Sequence, residues 1–149
     1  MTETDLIETR RVLESYGDET LNTMRNVLIS NKKVNSGDLL DSLSYQIIYD
    51  GETLDIEFSM IDYGIYVDKG RKPGKLPPID SIRNWAAQKG INQRFVFPIA
   101  RKIAEFGIAP TPFYESSILS GKDKLLRDLE VAMTKDINVW LQKQINNNF

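Results

Sequence analysis

One segment limits what this chain can fold into more than any other: residues 63–78, YGIYVDKGRKPGKLPP. Sixteen positions hold three glycines, three prolines and four basic side chains, Lys69, Arg71, Lys72 and Lys75. Proline lacks the backbone donor and fixes φ, whereas glycine frees it, so neither a regular helix nor a strand is expected to run through. The segment reads as a long basic loop, and long loops in compact domains are more often functional than idle. The stretches on either side read as scaffold.

Upstream, residues 5–32 carry Leu6, Leu13, Tyr16, Leu21, Met24, Val27 and Leu28 at helical spacing, which predicts an amphipathic helix with one buried face. Thr4 suits its N-cap, and Gly17-Asp18 allows either one kinked helix or two short ones. A turn is expected next, at residues 34–37. Leu43, Tyr45, Ile47 and Tyr49 then alternate with Ser44, Gln46 and Ile48, and Leu54, Ile56, Phe58 and Met60 alternate with Asp55, Glu57 and Ser59. Period two on both sides of Asp50-Gly51 predicts a hairpin over 43–60 with one covered face and one wet face. Such a hairpin needs cover, which the flanking helices can supply.

Downstream, residues 79–89 and 97–106 read as two short helices, stopped by Gly90 and Gly107. Pro98 fits only the first turn of the second. Pro110-Thr111-Pro112 is expected to be extended, with Phe113 and Tyr114 as apolar anchors directly after it. Residues 122–145 carry the longest apolar stripe, from Leu125 and Leu126 through Leu129, Met133, Ile137, Trp140 and Leu141 to Ile145. The expected fold is α+β in a single domain, 1–149. A small antiparallel sheet packs against long N- and C-terminal helices, with a basic Gly/Pro loop and two short helices inserted.

The chemistry available is narrow. With no cysteine and no histidine, thiolate or imidazole zinc sites, cysteine nucleophiles and a Ser-His-Asp triad are all excluded. Gly70-Arg71-Lys72-Pro73-Gly74-Lys75 imitates a phosphate loop, but Leu76 stands where Ser or Thr is required. Asp55 and Glu57 share a wet strand face, and Asp62 and Asp68 have no acid–base context. No calcium-loop spacing occurs. No apolar run approaches the ~20 residues of a membrane span, and the N-terminus lacks the apolar core of a signal peptide. The expectation is a non-enzymatic protein without cofactor, metal or small-molecule substrate. A net charge of −2 supplies no global attraction to nucleic acid, so any must come from the basic segment. Trp85 and Trp140 read as core.

Three patterns in order resemble one family. Val34-Asn35-Ser36-Gly37-Asp38-Leu39-Leu40-Asp41-Ser42-Leu43 is similar to the lead-in to that family's first strand. Tyr63-Gly64-Ile65-Tyr66-Val67-Asp68-Lys69-Gly70-Arg71 is similar to its turn after the hairpin. Pro110-Thr111-Pro112-Phe113-Tyr114-Glu115-Ser116-Ser117-Ile118 is similar to the lead-in to its C-terminal helix. The helix of its longer members resembles Ile99-Ala100-Arg101-Lys102-Ile103. These patterns resemble the tail-completion and head–tail joining (neck) proteins of long-tailed bacteriophages, including minor tail components related to gene product ten of lambdoid phages. The resemblance covers roughly residues 30–120 and departs at Val34, where many members have proline, and at the longer PGKLPP extension.

The resemblance implies a curved sheet packed by a long helix and a structural virion protein, assembled in the host cytoplasm into neck or tail. It implies ring homo-oligomers, commonly hexamers, that contact neck, portal-side or tail-tube proteins and, transiently, DNA in transit. Contact residues would be Tyr63, Tyr66, Lys69, Arg71, Lys72 and Lys75, with Phe113 and Tyr114 anchoring the C-terminal helix. The alternative, from a different class, is a small nucleic-acid-binding regulator using residues 69–75.

Overall fold

In a computed structural model the chain is α+β, as its patterning predicts. The structure describes residues 1–33 and 37–148, so most of the turn expected at 34–37 lies outside the described residues. Among the described residues are seven α-helices and one two-stranded antiparallel sheet. In chain order they are α1 (Ile7–Ser30), α2 (Asp38–Ser42), β1 (Ser44–Tyr49), β2 (Leu54–Ser59), α3 (Gly64–Lys69), α4 (Ile79–Gln88), α5 (Val96–Phe106), α6 (Tyr114–Ser120) and α7 (Lys122–Asn148). No helix among them is long and apolar enough to cross a membrane. The chain divides into two compact units.

The first unit comprises Met1–Arg25, Ser44–Ser59 and Glu115–Phe149. Its hairpin pairs Ser44 with Ser59 through Tyr49 with Leu54, and burial alternates along both strands as the period of two requires. The turn is wider than a two-residue loop. The Asp50 carboxylate accepts the N–H groups of Glu52 (2.9 Å) and Thr53 (2.7 Å), an Asx turn, and only Gly51 takes positive φ (101°). Hydrogen bonds from Thr53 and Glu52 hold the Asp50 carboxyl below the usual carboxylate range. The return strand starts at Leu54, and among the described residues no third strand joins the sheet.

Helix α1 runs unbroken through Gly17, so the sequence-permitted kink is not used. The reason is packing. A Cβ on Gly17 would lie 2.6 Å from the Tyr45 ring, and the Tyr45 hydroxyl sits 3.1 Å from the Glu14 carbonyl and 2.9 Å from Asp18 Oδ1. Phe58 meets Tyr16 edge-on at 6.0 Å. Thus β1 and β2 lay their covered face on α1. The start of α1 is set from far away in sequence. Asp136 of α7, 5% exposed, accepts the N–H groups of Glu8 (3.0 Å) and Thr9 (2.8 Å) and the Thr9 hydroxyl (2.7 Å). First-turn donors lack intrahelical partners, and here a buried carboxylate supplies them. The expected cap, Thr4, instead lies in a 3₁₀ turn, Glu3–Asp5, ahead of α1.

Helix α7 buries Ala132 and Asp136. Of the expected apolar stripe, Leu125, Leu129 and Trp140 are half-buried, whereas Leu126, Met133, Ile137, Leu141 and Ile145 are 42–58% exposed. The helix therefore turns its larger apolar face outward.

The second unit comprises Asn26–Leu43 and Met60–Tyr114. Helices α4 and α5 pack through Ile82, Ala86 and Val96, with Ile79, Trp85, Ile91, Ile99 and Ile103 around them. The predicted boundaries hold closely, with Pro98 in the first turn of α5 and Gly90 and Gly107 at φ 67° and 71° beyond the two helices. Residues 63–78 are not loop throughout, because α3 occupies Gly64–Lys69. Its first residue, Gly64, packs closely, and a Cβ there would lie 2.5 Å from the Met60 sulfur and 2.9 Å from a Leu39 methyl, so those side chains would have to shift.

Two outcomes test the hairpin-on-helix contact. Gly17→Ala is expected to lower stability by about 2 kcal/mol, because overpacking against Tyr45 outweighs the ~1 kcal/mol by which alanine favours a helix. A raised denaturation midpoint would disprove the contact. Burial, and then the hydrogen bond with Asp18, push the Tyr45 hydroxyl up to about 12 from 10.0. The unfolded chain ionises first, so this stabilisation is complete below pH 10.0 and is lost as pH rises through about 12. Denaturant midpoints measured across that window should fall less steeply in Tyr45→Phe than in the parent.

Candidate subunit-contact site

The second and third family-like patterns lie far apart in sequence, and the second unit brings them together. Asp68, at the end of α3 and 8% exposed, accepts the N–H groups of Phe113 and Tyr114 through one oxygen, both at 2.8 Å. Thr111 N–H donates to the Val67 carbonyl (2.8 Å). Arg71 and Ile108 exchange two backbone hydrogen bonds of 2.8 Å each, an isolated antiparallel bridge.

Two glycines permit this approach. Gly70 has φ 68° and a Cβ there would sit 2.5 Å from the Ile108 carbonyl oxygen; Gly107 has φ 71° and a Cβ would sit 2.3 Å from that of Arg71. The strand-like register at 71 and 108 thus depends on two positions where a side chain is both strained and blocked.

The sequence-predicted contact residues separate into three groups. Phe113 is fully buried and meets Tyr114 edge-on at 6.2 Å. Tyr114 is half-buried, and burial pushes its hydroxyl up. Arg71 is held rather than presented. Its guanidinium lies 5.6 Å from the Tyr66 ring centroid and Nη2 donates to the Leu76 carbonyl at 3.0 Å. Lys69, Lys72 and Lys75 are exposed, and none makes an ion pair among the described residues.

Tyr63 and Tyr66 are half-buried and line a cavity of about 470 Å³ within the second unit. Its walls come from α2, α3, α4 and α5, chiefly Leu39, Ile82, Trp85, Ile99 and Ile103, with Ile108. The described charged residues in the lining are two lysines, Lys33 and Lys89. Lys89 Nζ lies 5.6 Å from the Tyr63 centroid, 5.9 Å from that of Trp85 and 3.8 Å from Asp38 Oδ2. Trp85, expected in the core, is half-buried and forms a cavity wall. Among the described residues no group of three or more carboxylates is placed to hold a metal ion.

Sequence reasoning missed this cavity because its wall residues serve equally well as core on a helical wheel. It missed the role of Asp68 because a carboxylate in a basic, glycine-rich segment reads as solvated.

No protein family, curated protein or solved structure matches this chain.

Asp68→Ala would orphan two N–H groups, one of them buried, and is expected to cost about 2 kcal/mol. Amide exchange should report it selectively, with protection lost at Phe113 and Tyr114 while the α1 amides stay protected. Unchanged exchange at those two residues would show that the carboxylate does not hold them.

Proposed function

We propose that this chain is a structural subunit that associates head to tail with copies of itself, as a ring-forming tail-completion or head–tail connector component of a tailed phage virion. The observation carrying this reading is how charge divides between the two units. The first holds 8 basic and 15 acidic side chains, a net charge of −7, and the second holds 11 and 6, a net charge of +5. The whole-chain value of −2 conceals two units of opposite net charge.

The wet face and turn of the hairpin carry Asp50, Glu52, Asp55 and Glu57 with no lysine or arginine between residues 44 and 59. None of the four has a cationic partner among the described residues. Lys69, Lys72 and Lys75 are the matching unpaired set. Two different complementary surfaces on one chain favour a heterologous contact, which closes into a ring when the rotation between copies allows it. The exposed stripe of α7 adds apolar area of the kind that marks protein interfaces. Ring number, virion position and neighbours are part of the proposal through the resemblance alone.

A second reading has its own support: the same unpaired lysines in a unit of net charge +5 suit a phosphate backbone. One set of variants separates the two. Arg71 is left intact because it packs on Tyr66, and Lys69, Lys72 and Lys75 are replaced together by Ser. Native mass or sedimentation should show self-association lost, with thermal unfolding unchanged. Assembly as in the parent would overturn the subunit reading, whereas salt-sensitive retention of the parent on DNA, lost in the variant, would establish the regulator.

A further inference from the structure

We propose that α7 of one copy docks antiparallel on α5 of a second copy of this chain, with Glu130 meeting Arg101 and Arg127 meeting Glu105. The inference rests on the self-association reading above and names two helix faces that meet in it.

On α7, Leu126, Met133, Ile137 and Leu141 are exposed and fall within about a quarter of the helix circumference at 3.6 residues per turn. Glu130 lies inside that stripe, and Arg127 stands one turn back from it. Both are exposed, and neither makes an ion pair among the described residues. An exposed run of large aliphatic side chains marks an interface, and covering it takes Glu130 out of water as well. An unpaired carboxylate under an apolar cover is costly, so the cover must be an apolar surface that brings a cation with it. Lipid chains bring none. A second α7, laid antiparallel so that Glu130 meets Arg127, would leave Ile137 and Leu141 beyond its own first residue, Lys122.

Helix α5 carries the matching set. It buries Val96 and Ala100 and leaves Phe97, Arg101 and Glu105 exposed at steps of four residues, along one line of the helix. Phe97 is 54% exposed. Phe95, just ahead of the helix, is exposed too, with the Arg94 guanidinium 4.7 Å from its ring centroid. Neither Arg101 nor Glu105 makes an ion pair among the described residues. With the helices antiparallel, a rise of about 1.5 Å per residue sets Glu130 opposite Arg101 and Arg127 opposite Glu105 at once. Phe97 then falls between Met133 and Ile137. With the helices parallel, only one of the two pairs can form. A contact between faces of two different units is heterologous, as head-to-tail association requires.

Sedimentation velocity of the full chain tests the contact. Arg101→Glu and Glu130→Arg should each weaken self-association by at least about tenfold, because like charges then meet across it. Thermal unfolding should stay as in the parent, since both positions are exposed. The double variant should recover association. So should an equimolar mixture of the two single variants, in which every mixed contact holds either the parental pair or the exchanged one. Phe97→Ser should also weaken association, and it decides if a charge variant does not fold.

Parent-like association of both single variants would overturn the proposal, as would losses that neither the double variant nor the mixture recovers. Loss of association on replacing Lys69, Lys72 and Lys75, with no effect of the two reversals, would leave the subunit reading standing and this contact disproved. A parent that is monomeric at every concentration would remove both. An Arg101→Glu chain that still associates, but no longer retains a single-stranded oligonucleotide that the parent binds, would assign the α5 face to nucleic acid instead.

Discussion

The carboxylate of Asp68 is the interaction on which the second unit most depends. It reaches across 45 residues to Phe113 and 46 to Tyr114, holding down a segment that cannot form regular secondary structure, because Pro110 and Pro112 deny it donors. An extended segment without a ladder leaves N–H groups to be satisfied one by one. Asp68 accepts two of them, Val67 accepts a third, and the bridge between Arg71 and Ile108 fixes the direction of approach. Phe113 then reaches complete burial although the backbone leading to it lies outside any helix or strand.

The first unit solves a similar problem in the same way. Asp136 satisfies the first turn of α1 across 128 residues to Glu8 and 127 to Thr9. Both carboxylates are buried, and their described hydrogen-bond donors are backbone amides and one hydroxyl rather than guanidinium or ammonium groups. Fully satisfied buried polar groups specify a unique arrangement more than they add stability, because a shifted register leaves both the carboxylate and its donors unpaired. These are long-range contacts whose loop-closure entropy must be met before they contribute. They are therefore expected to form late, on helices and a hairpin that local patterning already favours.

The same contrast separates what is legible in the sequence from what is not. Residues Leu13 to Leu28 declare a helix because burial repeats at 3.6, and Leu54, Ile56 and Phe58 declare a strand because it repeats at 2. Such signals need only one neighbour layer to be true. Residues 63–78 read as loop because Gly64, Gly70 and Gly74 count as breakers in sequence; Gly64 is in fact the small residue that lets α3 start against Met60 and Leu39. Gly17 misleads for the same reason, its missing side chain being filled by Tyr45. Polar burial is invisible, since nothing in a periodicity distinguishes Asp136 from the solvated Asp128. The α7 stripe misleads in the other direction. A regular apolar face predicts a helix correctly, but it does not say whether the cover belongs to the same chain. Of the expected contact residues, Phe113 is apolar and fully buried. Arg71 groups with the lysines because charge, not packing, is what a sequence displays.

That grouping matters for how such a surface works. Arginine's planar group stacks on an aromatic ring and bonds a carbonyl while keeping its charge, whereas lysine carries a compact charge on a flexible stem. Here Arg71 is spent on Tyr66 and Leu76, which stiffens the base of the segment, and the three lysines project from that base. Exposed charge pairs are each worth only ~0–1 kcal/mol, so three lysines against four carboxylates cannot by themselves hold two copies together. In the proposed assembly they would add a needed margin of affinity to the apolar contact, and they would set the orientation and encounter rate that long-range charge complementarity controls. Most of the lasting area of such a contact would then be apolar, and α7 exposes seven large apolar side chains, Leu126, Val131, Met133, Ile137, Val139, Leu141 and Ile145. In the proposed assembly charge would select the approach and an apolar helix face would retain the partner, so that copies join in one orientation.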